Sequence, residues 1–245
     1  MSRRVYRVWH NENTWDPARD TELVIEDDLS LAEWIAPLLV PRSFEVRMMV
    51  PQGFNAYARI FFPFVTEHDE HVTWAEMARR NGTVAHALVE KGSITLEPER
   101  EYQEWTTFSG FAPEQSDALL AVLARHTVCD TACYLLWDGW GDLNERAFEH
   151  KPKLHHSWRD YYLLGGPLSA LDDFHEQPNY RWPYDRAWCV VTDTDFEWAY
   201  VAGSAACIEE LLAVPVIDAF ATLPENPAHS GMDRINDPDG TEPPS

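Results

Sequence analysis

The clearest periodic pattern in the chain runs from Pro113 to His126, where Leu119, Leu120, Val122 and Leu123 build an apolar stripe at helical spacing. Start and stop signals mark three more helices. Ser30-Leu31-Ala32-Glu33 reads as a capping box, in which hydroxyl and carboxylate each satisfy an amide of the first turn. It opens a helix that Pro37 kinks and Pro41 must end. Thr73-Trp74-Ala75-Glu76 is a second such box, stopped by the left-handed turn that Asn81-Gly82 supplies. Ser204 caps a fourth helix, from Ala205 to Ala213, ahead of Pro215.

Between these helices lie extended runs. Glu45–Val50 and Asn55–Phe62 flank Pro51-Gln52-Gly53, whose proline and glycine suit a type I turn between two strands. Ala132–Trp137 is apolar at successive positions and predicts a central strand covered on both faces. Arg159–Leu164 and Ala187–Asp193 read as further strands, the second turning at Thr194-Asp195-Phe196-Glu197 into Trp198–Val201. Strands that follow one another without regular helical crossovers predict an α+β fold. The expectation is a single domain over 1–223, with a mainly antiparallel central sheet and three to five flanking helices.

Composition adds limits. Among 245 residues, 19 Lys and Arg stand against 41 Asp and Glu, for a net charge of −22. Such a field repels phosphate backbones, which argues against nucleic acid as the main partner and favours encounter with a cationic one. Hydrophobic residues make up 45%, enough for a packed core. Residues 224–245 are the exception: rich in Pro, Gly, Asp and Asn, they predict a flexible acidic tail. Arg3-Arg4 is followed by polar Asn11-Glu12-Asn13, not by the apolar stretch of an export signal, and no apolar run is long enough to span a membrane. The expected location is cytoplasmic, with Cys129, Cys133, Cys189 and Cys207 as free, structural thiols.

Six segments carry a resemblance. Leu136-Trp137-Asp138-Gly139-Trp140-Gly141 is followed by Tyr161-Tyr162-Leu163-Leu164-Gly165-Gly166-Pro167-Leu168 and by Trp182-Pro183-Tyr184-Asp185-Arg186-Ala187-Trp188-Cys189-Val190. Asp193-Thr194-Asp195 and Tyr200-Val201-Ala202-Gly203-Ser204 complete the order, and Gly53–Phe61 precedes it. This succession resembles a group of uncharacterised actinobacterial proteins, over about residues 50 to 215, and implies no activity. In element order alone, the strand–turn–strand–helix ending resembles SUKH-type immunity domains, which implies binding of a toxin or other partner.

The chain lacks phosphate-binding glycine loops, an H-E-x-x-H helix and a G-x-S-x-G elbow. Glu67-His68-Asp69-Glu70-His71 packs potential metal ligands together but reads as a solvated turn. His155 and His156 are adjacent in an extended segment, so they face opposite ways, one exposed and one partly buried. Asp193 and Asp195 admit two readings: a carboxylate pair for Mg²⁺ or acid–base work, or side chains that shape a hairpin turn. The eleven tryptophans are the most unusual feature, because a large apolar body with one N–H suits clefts and interfaces. The expected function is a non-catalytic, immunity-like or regulatory module for a basic protein partner, with no cofactor and no metal. Its contact set is Trp137, Asp138, Trp140, Trp182, Tyr184, Asp185, Arg186, Trp188, Asp193 and Asp195. The alternative is a hydrolase or metal-assisted enzyme that uses Asp193 and Asp195 in an aromatic pocket.

Overall fold

The computed structural model describes residues 15–17, 21–65, 70–95, 106–107, 110–141, 143–156, 159–174 and 177–238. Strands β1 (Val24–Ile25), β2 (Ala56–Phe61), β6 (Thr131–Trp137), β7 (Leu154–His156), β8 (Arg159–Pro167), β9 (Tyr180–Pro183), β10 (Cys189–Thr192), β11 (Trp198–Gly203) and β12 (Ala219–Thr222) form one sheet. Its order is β1-β8-β6-β9-β10-β11-β2-β12, with β7 on the same outer edge of β8 as β1. Every pairing is antiparallel. Strands β3 (Phe64–Val65), β4 (His71–Val72) and β5 (Thr106–Thr107) make a second, small sheet. The architecture is α+β, as the succession of runs predicts.

The helices are α1 (Trp74–Asn81), α2 (Lys91–Ile94), α3 (Pro113–Arg125), α4 (Glu145–Phe148) and α5 (Ala205–Leu212). Local chemistry sets their ends where the sequence places them. Thr73 Oγ1 accepts from Glu76 N at 3.1 Å, Gly82 stops α1 at φ +69°, and Ser204 Oγ accepts from Cys207 N at 3.2 Å. A distant residue strengthens the first of these caps, since Asp218 Oδ2 accepts from Trp74 N at 2.6 Å.

Two local expectations fail. The run that opens at Ser30 is not one helix but two 3-10 turns, Leu29–Leu31 and Ala36–Leu38, the first capped by Asp28 and not Ser30. Pro37 lacks the N–H that a continuous helix needs and crowds the preceding turn. Glu45–Val50 is not a hairpin strand either; Val46–Met48 is a 3-10 turn. Val46, Met48, Met49 and Val50 are all buried, which an alternating strand cannot achieve, and the amides of Val46 and Arg47 bond to Asn226 and Pro224 carbonyls.

Cross-strand register sorts the sheet into two faces. On one, Tyr57, Phe61, Trp198, Tyr200, Val191, Tyr180, Trp182, Leu135 and Leu163 form the largest core, covered by 29–50, α1 and α2. On the other, Ala58, Ile60, Val190 and Val201 pack under Leu119, Val122 and Leu123 of α3 and Cys207, Ile208 and Leu211 of α5. Strand β6 has Ala132 to Leu136 buried without a break, as its apolar run requires.

The expected free tail is corrected over 224–238. Ala228 and Met232 enter the main core, and Asp233 is fully buried. Its carboxylate binds His86 Nε2 at 2.9 Å, Ser93 Oγ, Asn236 N at 2.9 Å and Ile235 N at 3.1 Å. Glu90 reaches the other way, accepting from Gly231 N at 3.0 Å and Asp233 N at 3.2 Å. A polar segment thus acquires order by bonding, where composition alone predicts none. Residues 239–245 lie outside the described residues.

Candidate functional site

The β10–β11 turn is a knot of charge. Asp193 Oδ1 accepts from Asp195 N at 3.0 Å, which closes the turn. Arg159, at the start of β8, then spans it: Nη2 donates to Asp193 Oδ1 at 3.1 Å and to Asp195 Oδ2 at 2.8 Å, and Nη1 donates to Thr194 Oγ1 at 3.0 Å. Burial pushes the Asp193 carboxyl above its ordinary value, against the opposing pull of the Asp195 amide and Arg159. Both carboxylates therefore shape and hold a hairpin, and a cation of the chain itself already sits between them.

The tryptophan loop closes over this turn. The Arg159 guanidinium lies 4.6 Å from the Trp137 ring, and Trp137 meets Trp140 edge-on at 5.8 Å. Asn179 positions the loop from β9's leading end, accepting from Trp137 N at 3.0 Å while its amide donates to Thr192 O at 3.4 Å. Asp138 faces away and pairs with Lys153 at 2.7 Å. Gly139 is required here, because a Cβ would stand 2.2 Å from the Trp137 ring. Gly139→Ala should cost on the order of 1–3 kcal/mol by forcing that ring off Arg159. Urea denaturation measures it, and an unchanged midpoint would show that the ring yields freely.

Beside the turn is a recess of about 50 Å³, walled by Phe62, Trp140 and Phe196 and by the polar side chains of Gln177, Thr192 and Asp193. Trp140 Nε1 and Gln177 Oε1 are both buried and have no hydrogen-bond partner among the described residues. Both residues line the recess, but the two atoms themselves are closed to water, so each unmade bond costs on the order of 1–3 kcal/mol. The volume is far below the roughly 300–1,000 Å³ of small-molecule pockets.

The expected contact set does not form one surface. Trp182 and Trp188 are 1% and 2% exposed. Trp182 packs edge-on against Trp34 at 5.8 Å, and Trp188 Nε1 donates to Leu123 O at 3.0 Å, so both are core. Tyr184, Asp185 and Arg186 follow the far end of β9, opposite Asn179 along that strand. Asp185 is spent on local bonds to Thr127 Oγ1, Val128 N and Ala187 N, at 2.8, 3.0 and 3.1 Å. Arg186 sits over Trp34 at 5.3 Å, and Tyr184 is exposed. Only Trp137, Trp140, Asp193 and Asp195 converge.

Arg159, Gln177, Phe62 and Phe196 complete the convergence. Phe196 lies inside the turn that the sequence marks, and Arg159 and Phe62 lie at the ends of runs that read as strands, which marks neither as a site residue; only Gln177 comes from a segment with no local signal. His71 pairs with Glu114, and among the described residues no group of three His, Cys, Asp or Glu could hold a metal ion; His68 lies outside them. His155 is exposed and His156 buried against Tyr161, its pKa pushed down to about 4 by burial. All four cysteines are free, and burial lifts Cys133 to about 12 and Cys207 to about 11, far from a reactive thiolate. Among the described residues no helix is long and apolar enough to cross a membrane. Comparison with family models, with characterised proteins and with solved structures finds no match.

Proposed function

We propose that this protein is a non-catalytic binding module for a basic protein partner, and that the contact centres on the Trp140–Asp193 end of the sheet. One observation supports this above the rest: an aromatic-walled recess, too small for a metabolite, two of whose lining residues, Trp140 and Gln177, each carry a buried polar atom with no hydrogen-bond partner among the described residues. The net charge of −22 would steer a cationic partner toward it. A metal-assisted hydrolase at Asp193 and Asp195 has less support, since Arg159 occupies both carboxylates.

The test uses fluorescein-labelled ten-residue lysine and arginine peptides, titrated by anisotropy at low and high salt. Binding should weaken at least tenfold between 50 and 300 mM salt (on the order expected when several ion pairs form). Trp140→Ala should weaken it further at low salt while leaving the fold intact by circular dichroism. Salt-insensitive binding, or binding untouched by Trp140→Ala, would overturn the reading.

A further inference from the structure

We infer that the outer edge of strand β12 takes an extended, cationic segment of a protein partner as an added strand. This surface is separate from the recess: β12 ends the sheet, beyond β11 and β2. Its geometry follows from the ladder. Phe61 N donates to Asp218 O at 2.9 Å, one step from the Ile60–Ala219 pair, while Phe62 N donates the other way, to Glu197 O at 2.9 Å. Bonded and unbonded pairs alternate along an antiparallel ladder, so Phe220 and Thr222 bond to Arg59 and Tyr57. Ala219 and Ala221 therefore turn their N–H and C=O groups outward. None of those four groups has a partner among the described residues. Ala221 is exposed, and so is the neighbouring Leu223.

The opposite edge of the sheet is guarded and this one is not. There β1 is only two residues long, and Lys151 Nζ donates to its Ile25 carbonyl at 3.4 Å. Strand β12 has no charge, no proline and no bulge between Ala219 and Thr222, the devices that keep an edge from pairing. Its outward N–H and C=O groups recur at about 7 Å, the two-residue repeat of an extended chain, so the backbone of another strand matches them.

Charge selects the occupant. From Ala187 to Asp233 the chain has eight Asp and Glu and no Lys or Arg, and this stretch supplies both β12 and the helix α5 that packs on it. Glu210 of α5 is already paired with Arg125 and His126, but Glu209 is exposed, as is Glu225 just past the strand. A second copy of the chain would bring a like charge of −22, and the methyl groups of Ala219 and Ala221 add little apolar area to offset that repulsion. A strand with cations at every second residue carries them all on one face, and pairing with β12 can turn that face toward α5.

Hydrogen exchange in the free protein reads the edge first: the amides of Ala219 and Ala221 should exchange at least tenfold faster than those of Phe220 and Thr222. The probe is a ten-residue peptide that alternates valine with lysine, titrated at constant ionic strength and followed in nitrogen–proton correlation spectra. The expected result is saturable shifts centred on Ala219 and Ala221, with the exchange of both amides slowed at least tenfold at saturation. A peptide with glutamate in place of lysine should bind at least tenfold more weakly. So should one with proline in place of valine, which keeps every charge but cannot pair as a strand. Ala221→Pro removes an outward N–H and no ladder bond, so it should weaken binding at least tenfold with circular dichroism unchanged. If that variant does not fold, the wild-type shifts and exchange rates decide. Protected Ala219 and Ala221 amides in the free protein, no saturable shift at β12, or equal binding of the glutamate or proline peptide would each overturn the inference. A dimer in sedimentation that covers the same amides would overturn it too, in favour of a second copy. Shifts at the Trp140 indole in place of β12 would remove the edge site and leave the module reading standing. Should β12 respond while the lysine and arginine peptides ignore Trp140→Ala, the edge site stands and that reading falls.

Discussion

Asp233→Ala should destabilise the protein by about 3 kcal/mol, because it leaves His86, Ser93 and two amides of the C-terminal segment without their shared acceptor. At this size such a loss lowers the melting temperature by roughly 6–12 °C. Burial opposes ionisation of Asp233, but the bonds from Asn236, Ser93 and His86 outweigh it and hold the pKa at about 2. A carboxyl whose folded pKa lies below its unfolded value stabilises fully above the unfolded value, near 4. That contribution, about 2 kcal/mol, is lost progressively as pH falls from about 4 through 2. Urea midpoints of wild type and variant at pH 7, 4 and 2.5 check both statements. A constant difference across that range would show that Asp233 acts by packing alone. Protection of 224–238 from proteolysis should vanish in the variant well before the body unfolds.

The reach of the sequence follows from the range of the forces involved. Helices α1, α3 and α5 are legible because their caps and stripes act over four residues. Strand β6 is legible because a run buried on both faces is apolar throughout. Strand β9 is not, since Arg181 and Pro183 give Tyr180–Pro183 the composition of a loop. The segment 224–238 misleads for a related reason: it is held by Asp233, Glu90 and Asn236, and hydrogen-bond partners far away in the chain leave no mark on local composition. The site was half legible. Aromatic and acidic residues were found, but Trp137 and Asp193 meet only because β9 lies between β6 and β10, with Asn179 joining the two. Without that order, Trp140 and Trp182 look alike, although one walls a recess and the other fills the core.

Arg181→Met should have the opposite effect to Asp233→Ala and stabilise the protein by on the order of 1–3 kcal/mol. Arg181 is 2% exposed, and its Nε, Nη1 and Nη2 have no hydrogen-bond partner among the described residues. Burial lowers its pKa to about 10, which means that the folded state disfavours the charge it carries at pH 7. For a base with a lowered folded pKa, the penalty is present at all pH below about 10 and is relieved only as pH rises toward the unfolded value. The Phe111 ring, 4.9 Å away, offsets part of it, on the order of 2 kcal/mol at most. Methionine fills similar space without the charge. Arg59 differs: it donates to Ala87 O at 2.8 Å and lies between the Phe61 and Trp198 rings at 4.5 and 3.7 Å, so its burial is better compensated. A rise in the urea midpoint for Arg181→Met is the expected reading. A fall would mean that an anion pairs with this guanidinium in solution.

Strand β2 lies between β11 and β12. It ends at Phe61, whereas β11 begins only at Trp198 and β12 at Ala219, so it is made long before either neighbour. Until then a strand that is buried from Tyr57 to Phe61 in the finished fold has two open edges, the condition under which nascent chains pair wrongly with each other. The sheet therefore assembles late and from distant parts, with slow folding as its cost. Mutual repulsion among copies that share this acidic excess opposes such pairing until β11 and β12 arrive.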